Sequence, residues 1–238
     1  MLISAGCSMT YGSELEGDWK MWHSNPKASF DKTFTSIIAK ELEMDYRVIA
    51  RPGGDNRVIA RSVLPFLYDD SVTKIIMNWS WLDRTMFYRK DEHRLVCLSE
   101  WATDPVNVKN AGIPEYLVEA WQNHIRGLEQ QLASLEAFFM INQVAKLQKK
   151  ELININLGRF ICELDPYDGD QIPDRLSDHG IKLVDHPYWK AVQDTPILFR
   201  EQSLAIYLAH NYDNLIRSGN HWNERGHVIA ADLILSKL

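Results

Sequence analysis

The sequence predicts an α/β protein in three layers, a largely parallel sheet covered by helices on both faces. Short apolar runs alternate with stretches of helical periodicity through most of the chain, the pattern of strand–helix–strand units. The 238 residues, 45% of them hydrophobic, suffice for one sizeable core. No internal repeat, low-complexity segment or linker divides them, so one domain over 1–238 is expected.

Met1-Leu2-Ile3-Ser4-Ala5 is the first strand, and Gly6 lets the chain bend where it ends. Ser8 then stands at the strand's carboxyl end, the edge where open parallel sheets bind ligands, although a serine there also serves as a helix cap or turn residue. A polar, aromatic-studded loop through Trp19, Trp22, His23 and Pro26 follows and is a candidate lid. From Ser29 to Met44, Phe30, Phe34, Ile37, Ile38 and Leu42 recur at helical spacing, with Ser29 as cap. Tyr46–Ala50 is the second strand. Pro52-Gly53-Gly54-Asp55-Asn56 is a turn opening a helix that Asp55 or Asn56 would cap.

Val72–Trp79 reads as a buried third strand whose end, Asn78-Trp79-Ser80-Trp81, emerges on the same edge as Ser8. Residues from about 82 to 114 show no sustained period and are read as an insertion over that edge. One long or broken helix is expected over 115–150, a fourth strand over Glu151–Leu157, and a poorly patterned stretch over 162–196. Helices over 199–216 and 224–238 complete the chain.

A net charge of −6 argues against a nucleic-acid or anionic-membrane binder, which needs a basic footprint. No apolar run reaches membrane-spanning length. The first strand begins at Met1, leaving no room for a signal peptide, so a cytoplasmic location is expected. Cys7, Cys97 and Cys162 are odd in number and lack metal-finger spacing, which suits a reducing compartment. Cys7 reads as a core residue. Asp185-His186 has no third partner, so no metal site and no cofactor is expected. Thr10 replaces the second glycine of a G-x-S-x-G elbow, and neither a G-x-G-x-x-G nor a P-loop follows the first strand. Packing is the expected role of Trp79, Trp81 and Trp222, and a structural one that of His227.

Gly6-Cys7-Ser8-Met9-Thr10-Tyr11-Gly12 resembles the nucleophile block of the SGNH (GDSL-like) hydrolases, in the G-C-S-F-T-x-G form common in bacterial and bacteriophage genomes. Gly53-Gly54-Asp55-Asn56-Arg57-Val58-Ile59 resembles that subgroup's glycine block, and His221-Trp222-Asn223-Glu224-Arg225-Gly226-His227 its closing H-P-N-x-x-G-H block. The resemblance implies a flavodoxin-like α/β/α fold and a serine esterase acting through an acyl-enzyme on a small acyl ester, an O-acetylated carbohydrate being the first to try.

It makes Ser8 the nucleophile and His221 its base. It gives the oxyanion hole to the backbone N–H of Ser8, to that of Gly54 or Gly53 with a lean to Gly54, and to Ser80 or Asn78, strand counting favouring Ser80. Two features depart from the family. Ser218 stands where it has an acidic residue three positions before the histidine, leaving Asp213 or a backbone carbonyl to orient the imidazole, and the third block is altered. The alternative is a catalytically impaired binding or virion-associated protein of the same fold, and acyl transfer is a third reading. If the chain is viral, its compartment is the host cytoplasm.

Overall fold

In the computed structural model of the protein, residues 1–13, 15, 30–82, 84–89, 94–98, 105–110, 112–122, 128–158, 160, 186–215 and 221–238 are described. The lid candidate, most of 162–196, Ser218 and Asn220 lie outside them.

A five-stranded sheet forms the middle layer. Its strands are β1 (Leu2–Gly6), β2 (Tyr46–Ala50), β3 (Lys74–Trp79), β6 (Glu151–Asn156) and β7 (Ile197–Leu198), in the order β2-β1-β3-β6-β7. All four pairings are parallel, with Leu2 opposite both Tyr46 and Lys74. Counted within the sheet this is the 2-1-3-4-5 order of flavodoxin-like folds, whose direction reverses between β1 and β3. Ligands of such sheets bind outside the carboxyl ends at that reversal. Residues after β1 and β3 therefore flank the favoured crevice.

Alternation along the strands builds two cores. Ile3, Ala5, Ile75, Met77 and Trp79 face one side, where they pack with Ile59, Val63 and Leu67 of α3 (Asn56–Leu67) and Leu135, Phe138 and Ile141 of α6 (Leu128–Leu147). Leu2, Ile76, Ile153 and Ile155 face the other. Their partners are Phe34 and Ile38 of α2 (Phe34–Glu41), Leu204 and Leu208 of α8 (Leu204–Asn211), and Ala230, Ala231 and Ile234 of α9 (Glu224–Leu235). The three-layer α/β/α expectation holds.

Several local expectations are corrected. α2 begins at Phe34 rather than near Ser29, because Thr33 is its cap and accepts a hydrogen bond from the Ser36 N–H. The stretch read as unpatterned after β3 contains a hairpin, β4 (Thr85–Arg89) with β5 (Arg94–Leu98), and the helix α4 (Pro105–Asn110). Five-residue strands are too short to show a convincing period among aromatic neighbours. The helix expected over 199–216 is shorter: after the two-residue β7 comes a turn with Phe199 at φ +61°, and α8, capped by Ser203, begins only at Leu204. Likewise α7 (Pro187–Asp194), capped by His186, lies in the stretch read as patternless. In the region expected to hold one long or broken helix, the described residues form α5 (Glu115–Ala120) and α6.

Candidate functional site

Ser8 is the first residue of the short helix α1 (Ser8–Tyr11), entered straight from β1. The side chain is half-buried, while Cys7 before it is fully buried in the core and Thr10 fully buried on the helix's inner side. Being first in a helix leaves the Ser8 N–H without an intrahelical acceptor.

The glycine block is tied to the same strand end. Arg51 donates its N–H to the Gly6 carbonyl at 3.0 Å, extending the β1–β2 pairing past the last residue of β2. Arg51-Pro52-Gly53-Gly54 is then a β-turn, with Gly53 at φ +73° and the Gly54 N–H donating to the Arg51 carbonyl at 2.9 Å. A positive φ two places after the turn's first residue is what requires glycine there. The Gly54 N–H is thus spent on the turn, which weighs against the lean toward Gly54 as an oxyanion donor.

Asn78 and Ser80 have different surroundings. Asn78 is fully buried, and its side-chain amide donates to Ser4 Oγ at 3.1 Å and to the Ala5 carbonyl at 2.9 Å, cross-linking β3 to β1. Ser80 follows β3 directly. Its Oγ is buried without a hydrogen-bond partner. Its main chain is held by Asn56, whose Oδ1 accepts from the Ser80 N–H at 2.8 Å while Nδ2 donates to the carbonyls of Ser80 and Trp81, each at 3.2 Å.

Asn56 is a residue whose part the sequence concealed, since a polar residue after a glycine turn looks like a cap. The cap is its neighbour: Asp55 accepts from the Val58 N–H at 2.8 Å. The buried Asp55 carboxylate also pairs with Arg57 at 3.2 Å and accepts from the Met86 N–H of β4 at 2.9 Å. The β4–β5 hairpin is thereby pinned to the glycine block, where a Cβ on Gly53 would come 2.8 Å from Cys97.

His221 is half-buried and precedes α9. Trp222 beside it is 1% exposed and meets Phe34 edge-on with ring centroids 6.2 Å apart. Asn223 caps α9 by accepting from the Gly226 N–H at 2.9 Å, and donates to the Asn214 carbonyl at 2.6 Å. His227 is fully buried, stacked on Phe34 at 5.8 Å, and its Nδ1 accepts the Phe34 N–H at 3.1 Å. That bond leaves the proton of the neutral ring on Nε2. Burial first, and then the nearby charge of His221, push the His227 pKa down to about 3.

These contacts set the first turn of α9 against the first turn of α2, and Lys32 before α2 pairs with Glu224 at 2.8 Å. Helices that follow parallel strands begin at the strands' carboxyl edge, so this is the edge that carries Ser8. Asp213 is exposed in the turn after α8. Trp79 is core, with its indole N–H donating to Asn154 Oδ1 at 2.9 Å, whereas Trp81 is half-buried beside Ser80.

Among the described residues, no group of three His, Cys, Asp or Glu could hold a metal ion, and no helix is long and apolar enough to cross a membrane.

Solved structures similar to this chain include the acetyl xylan esterase Est2A from the rumen bacterium Butyrivibrio proteoclasticus, with a TM-score of 0.51 and 15% identity over 100% of this chain. The chain spans 63% of the length of that protein. They also include the psychrotrophic esterase EstA from Pseudoalteromonas sp., at TM-score 0.48 and 8% identity over 99% of this chain and 94% of that one. A third is a putative lipolytic protein of the G-D-S-L family from Desulfitobacterium hafniense DCB-2, at 0.37 and 9% over 100% and 98%. The likeness to Est2A is one of fold. No family model matches the sequence, and neither does any curated protein.

Proposed function

We propose that this protein is a serine ester hydrolase of the SGNH type. What supports the reading is a serine opening a helix after β1 and a glycine turn bonded to the same strand end, both beside the β1/β3 reversal, together with His221 just before α9, whose first turn is held on α2 through His227. A serine hydroxyl is a weak nucleophile at neutral pH until a base takes its proton, and an imidazole titrates in the useful range.

In this mechanism Ser8 Oγ attacks the ester carbonyl carbon while His221 takes the hydroxyl proton. The carbonyl oxygen becomes an oxyanion, received by the N–H of Ser8, the N–H of Gly53 and the Ser80 hydroxyl. Gly53 is chosen over Gly54 because the Gly54 N–H closes the turn. Asn78 is left out because its amide is committed to β1. Collapse breaks the ester C–O bond, the leaving alcohol takes the proton from His221, and an acyl-Ser8 remains. Water, deprotonated by His221, then attacks the acyl carbon, and the bond to Ser8 Oγ breaks as that oxygen takes the proton back from His221 and the acid leaves.

Each oxyanion donor is worth roughly 3 kcal/mol of transition-state stabilisation. The nucleophile block aligns the chain with the G-C-S-F-T-x-G subgroup, and a small acyl ester of a carbohydrate is the first substrate class, acted on in the cytoplasm. A fluorophosphonate should attach to Ser8 and nowhere in Ser8→Ala, as read by peptide mass. Absence of labelling together with undiminished ester hydrolysis in Ser8→Ala would remove the proposal.

A further inference from the structure

We propose that Arg84 is a recognition site for a monoanionic group, a carboxylate, carried by the substrate of this sheet edge. Arg84 is 7% exposed, and its Nε and Nη1 are buried without a hydrogen-bond partner. No carboxylate pairs with it among the described residues. A guanidinium keeps its proton in proteins, so this is a buried positive charge with unused donors, an arrangement that a fold does not hold for packing alone. The guanidinium lies 4.2 Å from the centroid of the Trp81 ring, and a cation–π contact returns part of the cost. It satisfies none of the N–H groups.

The main chain that carries Arg84 is held from several sides. Arg84 donates its N–H to the Trp81 carbonyl at 3.4 Å, and its own carbonyl accepts from Gln130 Nε2 of α6 at 2.9 Å. Ser134 Oγ of the same helix donates to the Leu82 carbonyl at 2.8 Å, and Asn56 holds the Trp81 carbonyl. Behind the Trp81 ring is Gly158, just past the end of β6, where any Cβ would come 2.9 Å from the indole. A buried donor stacked on Trp81 and carried on a held main chain loses little entropy when an anion docks.

Place and charge decide what docks. The turn starts one residue after Ser80, at the carboxyl end of β3, and keeps the Cα atoms of Trp81 and Arg84 within about 7 Å. One guanidinium balances one negative charge, and Arg57 in the first turn of α3 is already paired with Asp55. A carboxylate suits this site better than a phosphate dianion, and its planar geometry matches the guanidinium fork.

The substrate assignment rests on the ester-hydrolase reading: the ester cleaved at Ser8 would carry a free carboxylate. The binding site itself does not depend on that reading.

Calorimetric titration of the Ser8→Ala protein with monomethyl succinate, dimethyl succinate and inorganic phosphate tests it. The monoanion should bind, more weakly at high salt, and should lose roughly 10- to 100-fold in affinity in Ser8→Ala/Arg84→Gln. Arg61→Gln, on the exposed face of α3, should leave it unchanged. Stronger binding of phosphate or of the diester than of the monoanion, or equal affinity after Arg84→Gln, overturns the inference. Arg84→Met supplies a folding control, since removing an unpaired buried charge should keep or raise the melting temperature in anion-free buffer, and a marked fall would assign Arg84 to packing and overturn the inference too. Binding that depends on Arg84 in a protein that cleaves no ester would retain this site and reject the hydrolase reading.

Discussion

The two residues of the proposed site, Ser8 and His221, are positioned by different routes. The serine follows two residues after a strand with parallel neighbours on both sides, so register places the strand end it leaves, and the loops beside it are stitched together by Asn56, Asp55 and the Arg51–Gly6 bond. The histidine precedes a helix and is placed by side chains: Trp222 in the core, Asn223 on two backbone groups, and His227 on the Phe34 N–H. The serine side should therefore tolerate single changes better than the histidine side, where each anchor is one residue.

Trp222→Ala is the largest test of that contrast. It opens a cavity in the core and should cost about 3–5 kcal/mol in chemical denaturation, with activity falling further than the folded fraction accounts for. A loss under about 1 kcal/mol would mean that the histidine side is held by something else.

Acid should act on the same side. In the unfolded chain His227 takes up a proton below its ordinary pKa of 6.5, whereas the folded protein resists until about 3. The stability of the neutral, buried form is thus full above pH 6.5 and is lost as the pH falls through that window. The expected loss is roughly 3 kcal/mol between pH 7 and pH 4. Urea melts across this range should show it, and His227→Gln, which keeps an acceptor for the Phe34 N–H without titrating, should flatten the profile.

On the serine side, Asn56→Ala leaves the buried N–H and carbonyl of Ser80 unpaired and should cost roughly 2–3 kcal/mol. Because Asn56 positions Ser80 rather than touching substrate, kcat should fall with KM little changed. Lys32→Ala removes an exposed ion pair between the first turns of α2 and α9 and should cost under about 1 kcal/mol, diminishing in salt.

The same contrast governs what the sequence discloses. Strands β1, β2, β3 and β6, with the turns that follow the first three, announce themselves through short apolar runs with glycine, proline or serine close behind them, and parallel pairing then makes those turns neighbours. The anchors of the histidine side act between residues far apart in sequence, as His227 with Phe34, and no local pattern reports such a contact. The β4–β5 hairpin and β7 are too short to carry a period. Asn56 and Arg84 look like a cap and a loop cation until the buried groups around them are seen.

The central claim is that two differently anchored residues act as one unit. Measuring kcat/KM for an activated acetate ester with Ser8→Ala, His221→Ala and the double variant tests it most directly. A nucleophile and its base should be non-additive, the double variant being about as slow as Ser8→Ala alone, with each single loss on the order of 10⁴-fold or more. Losses that multiply in the double variant, or a His221→Ala protein of unchanged activity, would contradict the account.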